Sequence, residues 1–391
     1  LKTYSRNRLM IDTLDFIRSI KKAGINFISG VPDSLLKDIC AHFTDFFEPK
    51  SHIIATNEGS AIALAIGHYL ATSKIALVYM QNSGLGNTVN PILSLADRNV
   101  YSIPMMLLIG WRAEISEDKK QIHDEPQHIS QGKVTLELLR LLKIPFQVID
   151  SNTNNIEKII LDLTKKSYEL LCPVAIVVRK SSFSKYQSNL NFKPFSEISR
   201  ESAIETIIDS ISENYPIVAT TGMASRELFE IRKNKKQNNS QDFLTVGGMG
   251  HSNHIALGIA ISLPKKKIVC IDGDGSLLMH MGTLALTAEQ NNFVHILINN
   301  AAHDSVGGQP TKGNRLDFCN IAKSFGYKNC FTCLNNSELK NILLHLTELT
   351  GSIFIEVKCR KGYRADLGRP DVSTYSNKNN FMKFLKAQAT L

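Results

Sequence analysis

Short runs of consecutive apolar residues, separated by stretches with a helical apolar period, set the pattern of this chain. In the first half the runs are Asn26 to Ser29, His52 to Ala55, Ile75 to Tyr79, Pro104 to Ile109, Pro145 to Ile149 and Val174 to Val178. Runs this short and apolar predict strands buried on both faces, and the helices between them imply a parallel sheet. From Arg179 to Arg200 the period lapses and Ser, Lys and Asn accumulate, which predicts a linker. The pattern then restarts with Ile217 to Thr220, Phe243 to Val246, Ile268 to Ile271, Val294 to Ile298, Cys330 to Cys333 and Ser352 to Val357. Equal strand counts predict an α/β chain of two similar doubly wound parallel-sheet domains, with function in the loops after the strands' carboxyl ends. The expected division is a basic extension at 1–9, a first domain at 10–180, a linker at 181–198 and a second domain at 199–391.

Composition adds exclusions. A length of 391 residues suits two cores, and 43% apolar with 21% charged residues is the balance of a folding chain. No apolar run reaches the roughly 18 residues of a membrane span, and no signal-type core follows the first residues. The expectation is a cytoplasmic protein with no membrane partner. The net charge of +9 is spread without a basic stripe interleaved with aromatics, which argues against nucleic acid and suits an anionic substrate and cofactor. Seven cysteines make an odd set, and the pair Cys330 and Cys333 has no second pair to complete a zinc site, so buried free thiols are expected.

The chemistry gathers after the run ending at Ile271. There Asp272-Gly273-Asp274-Gly275-Ser276 leads into a helical stretch, and the next strand is followed by Asn299-Asn300. The Asp274 carboxylate and the Asn300 amide oxygen are hard ligands from consecutive strand ends, a set that selects Mg or Ca. Gly273 and Gly275 let backbone approach a phosphate closely, and Ser276 can donate to it near a helix N-terminus. Gly-Asp-Gly alone also marks an ordinary strand-to-helix turn; the asparagine pair beyond it favours the metal. A dinucleotide alternative rests on Ser83-Gly84-Leu85-Gly86, but Val89 stands where the third glycine belongs.

Gly273-Asp274-Gly275-Ser276 with Asn299-Asn300 resembles the thiamine diphosphate motif of 2-oxoacid decarboxylases. The resemblance implies the thiamine diphosphate-binding fold without a central third domain, thiamine diphosphate and Mg2+ as cofactors, and Asp274, Asn300 and the Ala302 carbonyl as metal ligands. Ala301-Ala302 departs from the Gly-Ala of that family. The first domain would bind the pyrimidine and the second the diphosphate and metal. Glu58, which alone reads as an acidic residue complementing a helix N-terminus, would contact a pyrimidine nitrogen and activate the cofactor. In Gly247-Gly248-Met249-Gly250-His251, Met249 would bend the cofactor and the Gly247 carbonyl would accept from its amino group, with Thr221 and Gly222 adding diphosphate contacts.

Longer stretches are similar to the phosphonopyruvate decarboxylase branch: Gly30 to Leu36, His123 to His128, His303 to Thr311 and Arg364 to Pro370. That branch implies decarboxylation of phosphonopyruvate to phosphonoacetaldehyde through a cofactor ylide and an enamine, on the way to 2-aminoethylphosphonate. Sulfopyruvate decarboxylase is the nearest alternative, and a non-catalytic cofactor sensor or scaffold subunit the more distant one. Protonating the enamine needs a general acid, which nominates His128, His123 and Asp33. The histidines stay unranked, and Asp33 reads equally as a helix cap. Arg112 and His303 are candidate contacts for the substrate anion, Arg364 and Arg369 further ones, and His303 to Thr311 a closing loop. With Glu58 and Asp274 in different domains, the resemblance implies a homodimer or larger homo-oligomer with sites at the subunit interface.

Overall fold

The computed structural model describes residues 10–188 and 196–389, so the expected 1–9 extension and residues 189–195 of the expected linker lie outside the described residues. The chain divides into two compact units, Leu1–Asn191 and Phe192–Leu391.

The first unit is a six-stranded parallel sheet of β1 (Ile28–Gly30), β2 (His52–Ile54), β3 (Leu77–Gln81), β4 (Met105–Gly110), β5 (Phe146–Ile149) and β6 (Pro173–Val178), in the order β2-β1-β3-β4-β6-β5. β4 and β6 are buried at every position, as their unbroken apolar runs require. Apolar clusters fill both faces, one around Phe16, Ile20, Phe43 and Tyr79 and the other around Ile62, Met80, Leu107 and Leu139. The helix Glu58–Thr72 is set by its ends: the Asn57 side chain accepts from the Ser60 amide, and Ser73 stops the helix in the left-handed region at φ 57°.

The second unit holds β7 (Ile217–Ala219), β8 (Asp242–Leu244), β9 (Ile268–Gly273), β10 (Phe293–Asn299), β11 (Ala302–His303), β12 (Gln309–Pro310), β13 (Asn329–Cys333) and β14 (Ile353–Lys358). Six form a parallel sheet ordered β13-β14-β10-β9-β7-β8. Counted within its own unit, each sheet reads 2-1-3-4-6-5, so one topology occurs twice. In both, the winding reverses between the first and third strands, β1 and β3 or β7 and β9, which opens a crevice at their carboxyl ends. Across β9 and β10 the buried His295 Nε2 lies 3.4 Å from the Asp272 carboxylate, a polar contact between the two central strands.

All twelve expected strands are present, shifted by a few residues, and the described residues form no third unit. One element differs. Where the sequence predicts a closing loop at His303 to Thr311, β11 and β12 pair as an antiparallel hairpin. The seven cysteines are free thiols, six of them buried, and no helix among the described residues is long and apolar enough to cross a membrane.

Candidate active site

In the second unit Asp274 opens the helix Asp274–Met279 directly after β9, and its side chain is buried. Burial lifts its pKa to about 7; the Thr311 hydroxyl and the backbone amides of Asn300, Asp274 and Gly275, which counter this, are all neutral. A Cβ on Gly313 would stand 2.6 Å from Asp274 Oδ2 and 2.5 Å from Asn299 Oδ1, so only glycine admits this close approach of the 311–313 segment. The two asparagines after β10 divide their work. Asn299 donates to the Gly313 carbonyl at 2.9 Å and to Glu356 at 2.7 Å, fastening the loop. Asn300 donates to Asp304 at 2.7 Å, and its oxygen accepts the Ala302 amide at 3.1 Å.

Ser276 receives the Gly250 amide and the Thr220 hydroxyl, each at 3.1 Å, which joins the loops after β7, β8 and β9 and leaves the serine proton to donate elsewhere. Gly250, at φ 89°, has no room for a side chain, since a Cβ would lie 2.6 Å from the His280 ring. A Cβ on Gly275 would meet His303 at 2.9 Å and Met249 at 3.4 Å, so these two side chains both overhang the Gly273-Asp274-Gly275 turn. Thr221 follows β7, and Gly222, at φ 95°, leads into the helix Met223–Asn234. Burial lowers the His303 pKa to about 4, so near neutral pH the ring is a hydrogen-bonding group without charge.

In the first unit Glu58 is buried, and burial raises its pKa above the ordinary range while Asn87 holds it down with a 2.7 Å hydrogen bond. Gly84 leaves the space for this carboxyl: a Cβ there would lie 2.5 Å from Glu58 Oε1. The Gly-Leu-Gly that suggested a dinucleotide turn is thus the seat of a glutamate. Asp33, after β1, is fully buried; Oδ1 accepts from Gln81 at 2.6 Å, and Oδ2 caps the following turn through the amides of Leu35 and Leu36. Burial raises its pKa, against the pull of Gln81 and Arg112.

Arg112 is engaged inside the unit. Its guanidinium grips Asp124 with two nitrogens and donates to Ser34 at 2.8 Å with the third. Burial pushes Asp124 up, but Arg112 outweighs it and holds the carboxyl well below its usual range. His128 is buried in the first turn of the helix Pro126–Leu141, within electrostatic reach of Asp124, whereas His123 is exposed. Arg364 is likewise committed, to Glu201, Glu230 and Asp366. The hairpin is pinned by Lys361 on the Gly308 carbonyl and by Arg200 on Asp304 at 2.9 Å.

Sequence reasoning missed Asn87, Thr311, Gln81, Asp304 and Arg200. Asn87 directly follows Gly86, three residues past Gly84, and could have been sought as a partner for Glu58. Arg200 and Asp304 are 104 positions apart, and no local pattern joins them.

The donor set fits a hard divalent cation. A buried carboxylate countered only by neutral donors gains most from a positive charge, and the Asn300 amide and Ala302 carbonyl are oxygen donors in the adjoining loop. Comparison with known proteins bears on the organic cofactor. Residues 14–131 match the family described as thiamine pyrophosphate enzyme, N-terminal TPP binding domain, and residues 220–357 match its C-terminal TPP binding domain. Phosphonopyruvate decarboxylase of Streptomyces viridochromogenes is 28% identical, over 96% of this chain and 95% of its own. Sulfopyruvate decarboxylase subunit beta of Methanococcus maripaludis is 30% identical over 42% of this chain and 85% of its own, and subunit alpha 33% over 41% and 90%.

Proposed function

The chain belongs to the thiamine pyrophosphate enzymes and is a carboxy-lyase of the phosphonopyruvate and sulfopyruvate decarboxylase type; from that premise we propose that it converts 3-phosphonopyruvate to phosphonoacetaldehyde and CO2, a step toward 2-aminoethylphosphonate. The observation that carries the choice of substrate is similarity to a phosphonopyruvate decarboxylase along 96% of the chain.

Thiamine diphosphate, when bound, supplies a nucleophilic carbon and a cationic sink for the electrons released with CO2. In this proposal Mg2+ is held by Asp274, the Asn300 oxygen and the Ala302 carbonyl. Thr221, Gly222, Gly273, Gly275 and the Ser276 hydroxyl would hold the diphosphate. Met249, beside Gly275, would pack against the cofactor, and the Gly247 carbonyl would accept from its amino group. Glu58 would hold and give up the proton that a pyrimidine nitrogen requires; its raised pKa brings it nearer to neutral pH, and Asn87, bonded to Oε2, leaves Oε1 for that task. For protonation before product release, His128 is a better candidate than His123, because an enclosed ring keeps its proton from bulk water. Asp33 spends both oxygens on its own unit and serves as a support for Gln81. Arg112, neutralised by Asp124, orders the loop behind it, and His303 offers the substrate a neutral donor. A homodimer or larger assembly would complete each site.

Incubation with phosphonopyruvate, thiamine diphosphate and Mg2+ should release CO2 and phosphonoacetaldehyde, and omission of the metal should stop it. A higher kcat/KM on sulfopyruvate would overturn the choice of substrate.

A further inference from the structure

Behind the Asn300 side chain lies a buried charged lattice that the reaction scheme does not use. Asp304 Oδ2 accepts three hydrogen bonds: from Asn300 Nδ2 at 2.7 Å, from Arg200 Nη1 at 2.9 Å and from the Gly362 amide at 3.0 Å. Arg200 is itself clamped on Glu227 by two bonds of 2.7 and 2.9 Å, and all three charged side chains are nearly inaccessible to solvent. One cation between two carboxylates leaves the group with a formal charge of −1 beside the proposed cation site.

The two ends of an asparagine amide are alike in size, so packing does not choose between them; hydrogen bonds do. A carboxylate only accepts, so the end of Asn300 that faces Asp304 must be the nitrogen. The oxygen is thereby sent to the other side, where it accepts the Ala302 amide at 3.1 Å and keeps a second lone pair. Were the amide reversed, a donor would face the cation and could not bind it.

We propose that Asp304, anchored by Arg200 and Gly362, is a positioning residue that turns the Asn300 oxygen toward the divalent cation. The inference rests on the assignment of Asn300 and Asp274 as metal ligands made above. Its test is a cycle of variants in the full chain, with Mn2+ as the probe, titrated in the presence of thiamine diphosphate and followed by the resonance signal of free Mn2+. Asp304→Ala should weaken Mn2+ binding about tenfold, the value of one hydrogen bond to a charged group. In the Asn300→Asp background both ends of side chain 300 are oxygens, so orientation no longer matters, and Asp304→Ala, which also removes a carboxylate facing a carboxylate, should cost nothing or strengthen binding. Equal losses in both backgrounds would reduce Asp304 to scaffolding, and no loss in the wild type would remove its role; either overturns the proposal. Should Asp304→Ala fail to fold, Asp304→Asn carries the same cycle with a loss of about threefold. Asp274→Ala separates the premise from the inference: if it binds Mn2+ normally, the metal site itself is misplaced.

Discussion

A methyl group on Gly84 would stand 2.5 Å from Glu58 Oε1 and 2.7 Å from both Cδ and Cγ of the same side chain. Carbon and oxygen rest at about 3.3 Å, so Gly84→Ala must displace the Glu58 carboxyl by about 0.8 Å or swing it off Asn87. A misplacement near 1 Å at a reacting group costs roughly 100-fold, and forcing a methyl into a packed site costs about 1–3 kcal/mol of stability. Gly86, two residues on, is the built-in control, because a Cβ there meets nothing within 4 Å. It lies in the helix Leu85–Pro91, where alanine is the better helix former by up to about 1 kcal/mol. Steady-state decarboxylation together with thermal unfolding, with and without thiamine diphosphate and Mg2+, reads both effects. The expected result is a kcat about 100-fold lower for Gly84→Ala with metal-dependent diphosphate binding retained, and an unimpaired, equally or more stable Gly86→Ala. Wild-type turnover in Gly84→Ala, or equal damage at Gly86, would mean that the glycines serve a phosphate turn and that the link to Glu58 is wrong.

Glu58→Gln should abolish turnover while Mg2+ and thiamine diphosphate still raise the melting temperature; surviving activity would refute the proton-exchange role. Ala301 sits at φ 54° in the loop after β10, the one alanine of the Ala301-Ala302 pair forced into the left-handed region. Ala301→Gly should relieve that strain and, after the entropy that glycine adds to the unfolded chain, leave the protein between unchanged and about 1 kcal/mol more stable in urea unfolding. A clear destabilisation would contradict the strain argument. Burial lowers His52, bonded at 2.9 Å to the Tyr79 hydroxyl, to about 4 from 6.5. Because the folded state resists its protonation, the associated stability is present above pH 6.5 and lost as pH falls toward 4, by about 3 kcal/mol. His52→Gln should flatten unfolding free energy against pH in that window, and an unchanged slope would acquit His52.

Strand positions were legible because a doubly covered parallel sheet writes itself as unbroken apolar runs; β4 and β6 are the clearest cases, buried at every residue. Asp274 and Asn300 were legible for a related reason, since each follows the end of such a run. The hairpin β11–β12 was not, because two-residue strands carry no period, and what holds them is Arg200 on Asp304 and Lys361 on Gly308, both distant in sequence. Arg112 looked like a free cation for the same reason in reverse: its charge is visible in the sequence, while its pairing with Asp124 depends on how the loop returns. Gly84 entered only through a dinucleotide alternative that lacked its third glycine, because spacing does not say what a glycine makes room for.

In the proposed reading the repeated strand order gives one frame two tasks. At the reversal in the first unit the crevice ends carry Asp33, Gln81 and the seat of Glu58; at the reversal in the second they carry Thr220 and Asp274. Both Glu58 and Asp274 are buried carboxyls with raised pKa values, and they differ in what surrounds them. Glu58 has one side-chain donor, Asn87, and an oxygen kept open by Gly84, the arrangement of a group that passes a proton. Asp274 is met by a hydroxyl and several backbone amides that offset only part of the effect of burial, with asparagine and carbonyl oxygens in the next loop, so in the proposed role a bound cation would complete its ionisation. By the same measure Glu58→Asp, which draws the carboxyl back by about 1.5 Å, should lose turnover at least as heavily as Gly84→Ala, and Thr311→Val, which removes a side-chain donor to Asp274, should weaken Mn2+ binding several-fold. If Thr311→Val bound Mn2+ as the wild type does, the donors around Asp274 would not be what prepares it for metal.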